Sequence, residues 1–226
     1  MNQRRIYTSF HDIPVQQTYS YGYGEKQPSF SFSRTEIMHI LIAMGALTIA
    51  FAFALAPSPP FYNLEYVAAN LPLAFLAIAT AFFCHEMAHK YMGQKYGYWS
   101  EFRMFPQGLL LALFFGVFLG FVFAAPGAVQ IYGQPTREES GKLAAAGPVT
   151  NLGIAAIGLL IWLNVAGLVG SIAFFIGYIN TFLGIFNLLP FGPLDGRKIM
   201  SWNMGLWVGL LALGILLFAT FFIQPF

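Results

Sequence analysis

The sequence predicts an all-α polytopic membrane protein with about five to six transmembrane helices. Of its 226 residues, 58% are hydrophobic and 18% are aromatic, whereas only 9% are charged. A water-soluble domain carries about a quarter charged residues, so this chain lacks the polar residues to cover a globule of its size. The charged residues are also clustered, and the apolar intervals between the clusters are long enough to cross a bilayer, which takes about 20 residues.

Composition excludes two other classes of protein. The formal net charge is only +2 and the sequence contains no basic stripe, so no nucleic-acid partner is expected. The single cysteine, Cys84, cannot form a disulfide framework within the chain. The expected environment for most of the chain is therefore the lipid bilayer.

Six apolar intervals follow a polar N-terminal region. Residues 1–34 are predicted to form a polar, disordered tail, and residues 35–226 a membrane-embedded domain. The stretch 143–194 contains no charged residue and is long enough for two helices with a turn near residues 167–171. The remaining apolar intervals are 37–56, 66–83, 108–131 and 201–226.

Lys and Arg residues near the ends of spans mark the cytoplasmic side of a membrane protein. They are absent from segments 57–65 and 164–171 and from all residues after 198. If interval 108–131 enters and leaves on one side, every Lys and Arg becomes cytoplasmic, and its Gly and Pro residues allow such a break. We therefore expect a multi-pass protein of the cell membrane with a cytoplasmic N-terminus. Six complete crossings with a weak charge bias are the alternative.

The motif HEMAH, from His85 to His89, ends the second apolar interval. On a helix, positions i and i+4 share one face with Cβ atoms about 6 Å apart, so the two imidazoles can reach one metal ion. Glu86 lies beside the same position and can take a proton from water at that ion. The alternative is a helix end with two interfacial histidines and a glutamate that reaches the membrane surface.

Two histidines do not complete a catalytic zinc site, which normally has three protein ligands and one open position. His11 and His39 are expected to be interfacial or solvated. The better candidate is Asp195, which follows the uncharged stretch 143–194 in the sequence NLLPFGPLDG. The Pro and Gly residues of that sequence stop a regular helix and let the backbone turn the carboxylate sideways. The alternative is that Asp195 caps a helix and pairs with Arg197.

Three motifs together resemble the site-2 protease family of intramembrane zinc metalloproteases. They are HEMAH, AGPVTN (residues 146–151) and NLLPFGPLDG (residues 187–196), in the same order as in that family. The resemblance implies one Zn²⁺ bound by His85, His89 and Asp195, with Glu86 as the general base. It also implies a functional asparagine, which matches Asn187.

Two departures limit this resemblance. The interval 108–131 is longer than the compact, strand-rich connection that is common between the two metal motifs of the family. The sequence between those motifs also contains no regulatory PDZ module.

A transmembrane substrate must unwind before its peptide bonds can react, and an extended segment is best held at a sheet edge. Residues 96–104 and 128–132 are strand-like and predict a small strand-containing element near the active site. We expect at least one of them to hold substrate; the alternative is a pair of interfacial loops. Asn187 and Asn151 are predicted to bind substrate. Asn187 can instead bond between helices, and Asn151 can tie its helix to the catalytic core.

The sequence therefore predicts an intramembrane zinc endopeptidase that cleaves within or near a transmembrane segment of another membrane protein. By resemblance, the consequence would be regulated intramembrane proteolysis. A transporter or channel with an ion pathway through the His, Glu and Asp cluster is one alternative. A non-catalytic relative that binds zinc is the other.

Overall fold

The computed structural model describes residues 30–122 and 126–223, and most of the predicted tail lies outside these ranges. It confirms a mostly helical membrane protein with one small two-stranded sheet. A π-helical turn, Ala79–Phe83, joins α2 directly to α3. The strands are β1 (Trp99–Met104) and β2 (Gly127–Tyr132). The helices are α1 (Arg34–Ala54), α2 (Leu64–Ile78), α3 (Cys84–Lys95), α4 (Pro106–Leu119), α5 (Arg137–Asn164), α6 (Leu168–Leu188), α7 (Asp195–Trp202) and α8 (Met204–Ile223).

Within the described residues, five helical segments are long and apolar enough to cross a bilayer, which agrees with the predicted five to six. Four of them are single helices, namely α1, α5, α6 and α8. The other combines α2, the π-helical turn and α3 into 32 continuous helical residues, Leu64–Lys95. The predicted turn between the two helices of the uncharged stretch occupies residues 165–167, where α5 ends and α6 begins.

The apolar interval 108–131 does not form a spanning helix within its described residues. Its helix, α4, has 14 residues and is about 21 Å long, which is too short for the hydrocarbon core. Strands β1 and β2 flank α4 and pair antiparallel, with Met104 opposite Gly127 and Trp99 opposite Tyr132. The segment therefore returns to the point from which it departed, as expected for a segment that enters and leaves on one side.

The sheet packs on α3 and its β1 edge packs on α1. Gly93 of α3 allows the close approach, because an added Cβ atom would overlap the Ser100 side chain and lie 3.6 Å from Ile131. Phe102 lies two residues from Ser100 and on the same face of β1; it is fully buried and its ring contacts that of Phe82 at 5.6 Å between centroids. This packing fixes the position of the sheet relative to the helix that carries HEMAH.

A fully buried ion pair joins α1, α3 and β1. Lys90 Nζ lies 2.8 Å from Glu36 Oε2, and neither side chain is exposed. The Glu36 Oε1 atom accepts the backbone N–H of Phe102, while Lys90 donates to the Ser100 carbonyl at 2.9 Å. Lys90 also lies over the ring of Phe32, 4.7 Å from its centroid. Because an unpaired charge is costly in lipid, each of these contacts compensates for burial.

Candidate metal centre

The two histidines of HEMAH lie on the buried face of α3, in the first two turns after the π-helical turn. The Nε2 atoms of His85 and His89 are 2.9 Å apart. His85 is 4% exposed, so its ring is enclosed by protein rather than by lipid. The helical spacing of the motif therefore brings both imidazoles to one point, as the sequence predicts.

The carboxylate of Asp195 meets these imidazoles from a distant part of the chain. Its Oδ2 atom lies 3.4 Å from His85 Nε2 and 3.2 Å from His89 Nε2. The residue before it, Leu194, is extended, and Asp195 is the first residue of α7. The Pro and Gly residues after α6 thus end one helix and start another at the place where the carboxylate is needed.

The three side chains fit a zinc ion. Ligands bound at about 2.0–2.2 Å in a tetrahedron lie roughly 3.3–3.6 Å from one another, close to the separations observed here. Two neutral imidazoles and a carboxylate are also a ligand set that zinc commonly uses in catalytic sites. Gly147 of α5 leaves room beside these atoms, because an added Cβ would lie 2.5 Å from the Nε2 atoms of both histidines.

The other nitrogen of each ring is bound by α5. His89 Nδ1 lies 2.8 Å from the carbonyl oxygen of Leu143, which can only accept, so this nitrogen carries the proton. His85 Nδ1 donates to Asn151 Oδ1 at 2.5 Å. Both Nε2 atoms are therefore deprotonated and free to bind a metal ion, and α5 fixes the orientation of the rings.

Glu86 lies in the same cavity as the three candidate ligands. The cavity has a volume of about 340 Å³ and includes Ala128, Val129 and Ile131 of β2 in its wall. The Glu86 Oε2 atom accepts the backbone N–H of Val129 at 2.9 Å. A carboxylate, a candidate metal site and a strand edge thus face one cavity.

The two asparagines predicted to bind substrate lie outside the wall of this cavity. Asn151 is fully buried behind His85 and donates to the carbonyl of Ala81 at 2.9 Å. This position favours a role in holding His85 over direct contact with substrate. Asn187 is partly buried and its side-chain amide donates within α6, to the carbonyl of Leu183 at 3.1 Å.

The other histidines do not contribute to the centre within the described residues. His39 lies on α1 and is separate from the group formed by His85, His89 and Asp195. His11 lies outside the described residues. Asp195 forms its close ionic contacts with the two imidazoles and makes no ion pair with Arg197 in the described part of the chain.

The sequence does not reveal two groups of the site and one that supports its sheet. The two groups are the backbone N–H of Val129 and Asn180, whose side chain contacts Asn151; the third is the buried pair of Glu36 and Lys90 at the β1 edge. A signal for Asn180 was present, because an amide in the middle of an uncharged helix needs a partner in lipid. The other two depend on contacts between residues at least 43 positions apart, which no local pattern reveals.

Comparisons with known proteins agree with this geometry. The family model of Peptidase family M50 matches residues 163–211, which include NLLPFGPLDG. A protein of Methanocaldococcus jannaschii, MJ0611, is 40% identical over 156 residues, which cover 66% of this chain and 81% of that protein. The Bacillus subtilis protein YwhC is 30% identical over 160 residues, or 61% of this chain and 72% of YwhC.

For a third relative, the match covers a much smaller share of the relative's length. Rip3 of Mycobacterium tuberculosis is 31% identical over 121 residues, which cover 51% of this chain but only 27% of Rip3. All three relatives carry the printed name "Putative zinc metalloprotease". No solved structure gives a significant match to this chain. The extent of the first two matches and the family model show that the chain belongs to peptidase family M50, the site-2 protease family of zinc metalloproteases.

Proposed function

We propose that this chain is an intramembrane zinc endopeptidase that hydrolyses a peptide bond within or near a transmembrane segment of a membrane protein. One observation carries the proposal. His85, His89 and Asp195 converge within a single cavity that also contains Glu86 and the edge of β2. Peptide hydrolysis needs a metal site, a base and a means of holding extended substrate, and this cavity offers all three.

Each polar group of the cavity receives a separate role. Zinc, when bound by the two imidazoles and Asp195, would supply a Lewis acid that polarises the scissile carbonyl and activates water at neutral pH. Glu86 takes the proton of the attacking water and later gives it to the leaving amine. The Val129 N–H holds one carboxylate oxygen of Glu86 and so orients the base within the cavity.

The free edge of β2 holds the substrate backbone. Val129 directs its N–H away from β1, and residues two apart on a strand point the same way, so Ile131 faces the same edge. Both residues lie in the wall of the cavity. Because Glu86 holds the Val129 N–H, an unwound substrate segment pairs as a third strand with the other outward backbone groups of this edge, which places the substrate carbonyl groups next to Glu86 and the metal site.

Asn187 is proposed to support the oxyanion of the reacting carbonyl. Its amide currently donates to Leu183 of its own helix. It would therefore have to rotate toward the cavity when substrate binds, which is compatible with the looser geometry of catalytic groups before substrate arrives.

The orientation of the chain follows from its charges. With five spans and a returning α4 segment, Arg34, Lys95, Arg137 and Lys198 all lie on one side of the bilayer. We propose that this side is the cytoplasm, with residues 35–226 as the membrane domain and residues 1–34 as a cytoplasmic tail. The proposed partners are the lipid bilayer and a transmembrane substrate.

Two other functions make different predictions. A transporter would conduct ions without cleaving peptides, and a non-catalytic relative would bind zinc without turnover. The position of Glu86 beside a substrate-sized cavity and an open strand edge favours the protease.

The test compares the unaltered protein with Glu86→Gln, reconstituted in lipid with a transmembrane reporter. Glutamine keeps the acceptor for the Val129 N–H but cannot take a proton. We expect equal zinc content in both proteins and a decrease in cleavage rate of about 10²- to 10⁴-fold in the variant. Full cleavage by Glu86→Gln would refute the role of this base, and ion flux without cleavage in the unaltered protein would favour the transporter.

Asp195→Asn tests the ligand set. Replacement of the carboxylate by a neutral amide should weaken zinc retention against a chelator by more than about 10-fold, since even partners outside the ligand set change affinity by that much. The exposed carboxylate variant Glu138→Gln is the control and should retain zinc normally. Unchanged zinc affinity in Asp195→Asn would remove Asp195 from the ligands.

A further inference from the structure

A chain of buried amides extends from His85 away from the cavity and into the helix bundle. Asn151 and Asn180 are both fully buried, and they connect α5 to α6 and to the π-helical turn. We propose that Asn180 and Thr80 are positioning residues of the metal centre, which act on His85 through Asn151. This inference rests on the proposed metal site but not on proteolysis.

The first connection fixes the Asn151 amide. Its Nδ2 atom donates to the carbonyl of Ala81 and to Asn180 Oδ1, each at 2.9 Å. A carbonyl only accepts, so the nitrogen of Asn151 must face Ala81 and its oxygen must face His85. This orientation forces the proton of His85 onto Nδ1 and leaves Nε2 available for the metal ion.

The second connection fixes the Asn180 amide. Its Nδ2 atom donates to the carbonyl of Ile176 at 2.9 Å and to Thr80 Oγ1 at 3.1 Å. Its oxygen is therefore directed at Asn151. The Thr80 hydroxyl donates in turn to the carbonyl of Leu76 at 2.8 Å, so its lone pairs are available to accept from Asn180.

Among these buried amides, the donor and acceptor roles in each hydrogen bond are fixed by the next hydrogen bond along the series from His85 to Thr80. If the Asn151 amide rotated by half a turn, it would present a donor to His85 Nδ1, and the ring proton would move to Nε2. A protonated Nε2 cannot bind zinc. Because both amides are fully buried, a rotated amide would also leave unsatisfied polar groups, which disfavours the rotation.

The π-helical turn takes part in this arrangement. Residues 79–83 close an i to i+5 turn directly before the metal-binding helix, and Cys84 donates to the carbonyl of Ala79. Both Thr80 and Ala81 lie in this turn and both contact the amide chain. The amides therefore set the ring of His85 and, at the same time, the backbone that precedes it.

A simpler interpretation is that these amides only hold the helices together. That interpretation predicts a loss of stability in the metal-free protein, with unchanged zinc affinity in the molecules that remain folded. The proposal predicts a loss of zinc affinity in the folded molecules. Zinc binding and unfolding must therefore be measured separately.

The experiment uses the full-length protein in detergent micelles and competition with a chelator for zinc. Asn180→Leu removes the acceptor for Asn151 in a side chain of similar size. We expect its zinc dissociation constant to increase about 10-fold, the lower end of the effect of outer-shell partners. The Co²⁺-substituted variant should also show an altered d–d absorption spectrum, which reports the ligand geometry without any measurement of cleavage.

Thr181→Val is the matched control. Thr181 is adjacent to Asn180 on α6 and is also fully buried, but its hydroxyl donates within its own helix, to the Gly177 carbonyl at 2.8 Å, and makes no other hydrogen bond to the part of the chain that the structure describes. It should bind zinc like the unaltered protein. Equal zinc affinity in Asn180→Leu and Thr181→Val would overturn the proposal.

Thr80 provides a second test if Asn180→Leu does not fold. Thr80→Val removes the hydroxyl with little change of shape and should weaken zinc binding about two- to fivefold, because Asn180 keeps its bond to Ile176. Thr80→Ser keeps a hydroxyl and should restore the affinity. Identical zinc affinity in Thr80→Val and Thr80→Ser would contradict the role of Thr80 and, with it, the proposal.

Discussion

The two edges of the small sheet have opposite environments. On the β1 edge, the N–H of Phe102 and the carbonyl of Ser100 are bound by a fully buried ion pair, Glu36 and Lys90. On the β2 edge, the N–H of Val129 is bound by Glu86, and the edge borders the cavity of the metal centre. Phe102 and Val129 lie directly opposite each other, so two glutamates hold the two outward N–H groups of one residue pair.

The difference shows how a strand edge can be closed or kept available in a membrane. An unpaired edge in lipid is costly, because no water satisfies its backbone groups. Side chains of α1 and α3 bind the N–H of Phe102 and the carbonyl of Ser100 on the β1 edge. The β2 edge borders the cavity of the candidate metal centre instead, and the proposed function places the substrate strand there.

Loss of the ion pair at the β1 edge should have the largest effect on the unfolding free energy. Lys90→Met leaves the Glu36 carboxylate buried without its partner, and we expect unfolding to become easier by about 3–5 kcal/mol. The measurement is the unfolding free energy in mixed micelles. The double variant Glu36→Leu, Lys90→Met should recover part of this loss, but not the part due to the backbone groups of Phe102 and Ser100.

The control is Lys142→Met, which removes an exposed ion pair with Glu138 one helical turn away. Such a pair contributes no more than about 0.5 kcal/mol. If Lys90→Met were as mild as Lys142→Met, the pair at the β1 edge would not be needed to close it.

A change at the β2 edge should impair cleavage rather than stability. Val129→Pro removes the N–H that Glu86 accepts, at an edge position where proline is tolerated because its missing N–H lies outside the β1 pairing. We expect cleavage of the reporter to fall about 10- to 100-fold, since the base loses its orienting donor. Zinc content should be unchanged.

Val129→Ala is the matched variant for this test. It shortens the same side chain but keeps the backbone N–H. It should therefore cleave within about threefold of the unaltered protein, because the proposed role of Val129 depends on its backbone and not on its side chain. Equal cleavage by the proline and alanine variants would show that the Val129 N–H is not used.

The smallest effect on stability is expected at Gln94, which contacts the β1 edge near Ser100. Gln94 donates to the Ser100 carbonyl at 3.4 Å and exchanges two hydrogen bonds with the backbone of Ser31. Gln94→Ala should cost about 0.5–1 kcal/mol of unfolding free energy, because Lys90 still binds the Ser100 carbonyl. Cleavage should not change. A loss of cleavage would mean that the two edges are coupled.

The sequence predicts much of this arrangement because some constraints are local. Hydropathy predicts five to six spans, the positions of Lys and Arg favour a segment 108–131 that does not cross, and the i, i+4 spacing of HEMAH places two imidazoles on one face. Both strands were also expected, and they occupy Trp99–Met104 and Gly127–Tyr132. Asp195 could be proposed because a carboxylate within apolar sequence requires a compensating role.

Other parts depend on how distant helices pack. The charge pattern places Lys90 with the cytoplasmic Lys and Arg residues, yet α1 and β1 enclose it completely. The partner of Asn151 could not be chosen from sequence, because it lies 29 residues away on α6. The role of Val129 is carried by its backbone N–H, which every residue except proline has.

The pairing of Met104 with Gly127 has a consequence for how the chain can vary. The two ends of the α4 segment are joined at this point, and between them α4 packs on α1 through the buried residues Leu109 and Ala112. The segment is therefore anchored twice, once by backbone pairing and once by apolar packing. Changes of length that preserve both contacts should leave the register of β1 and β2 unchanged.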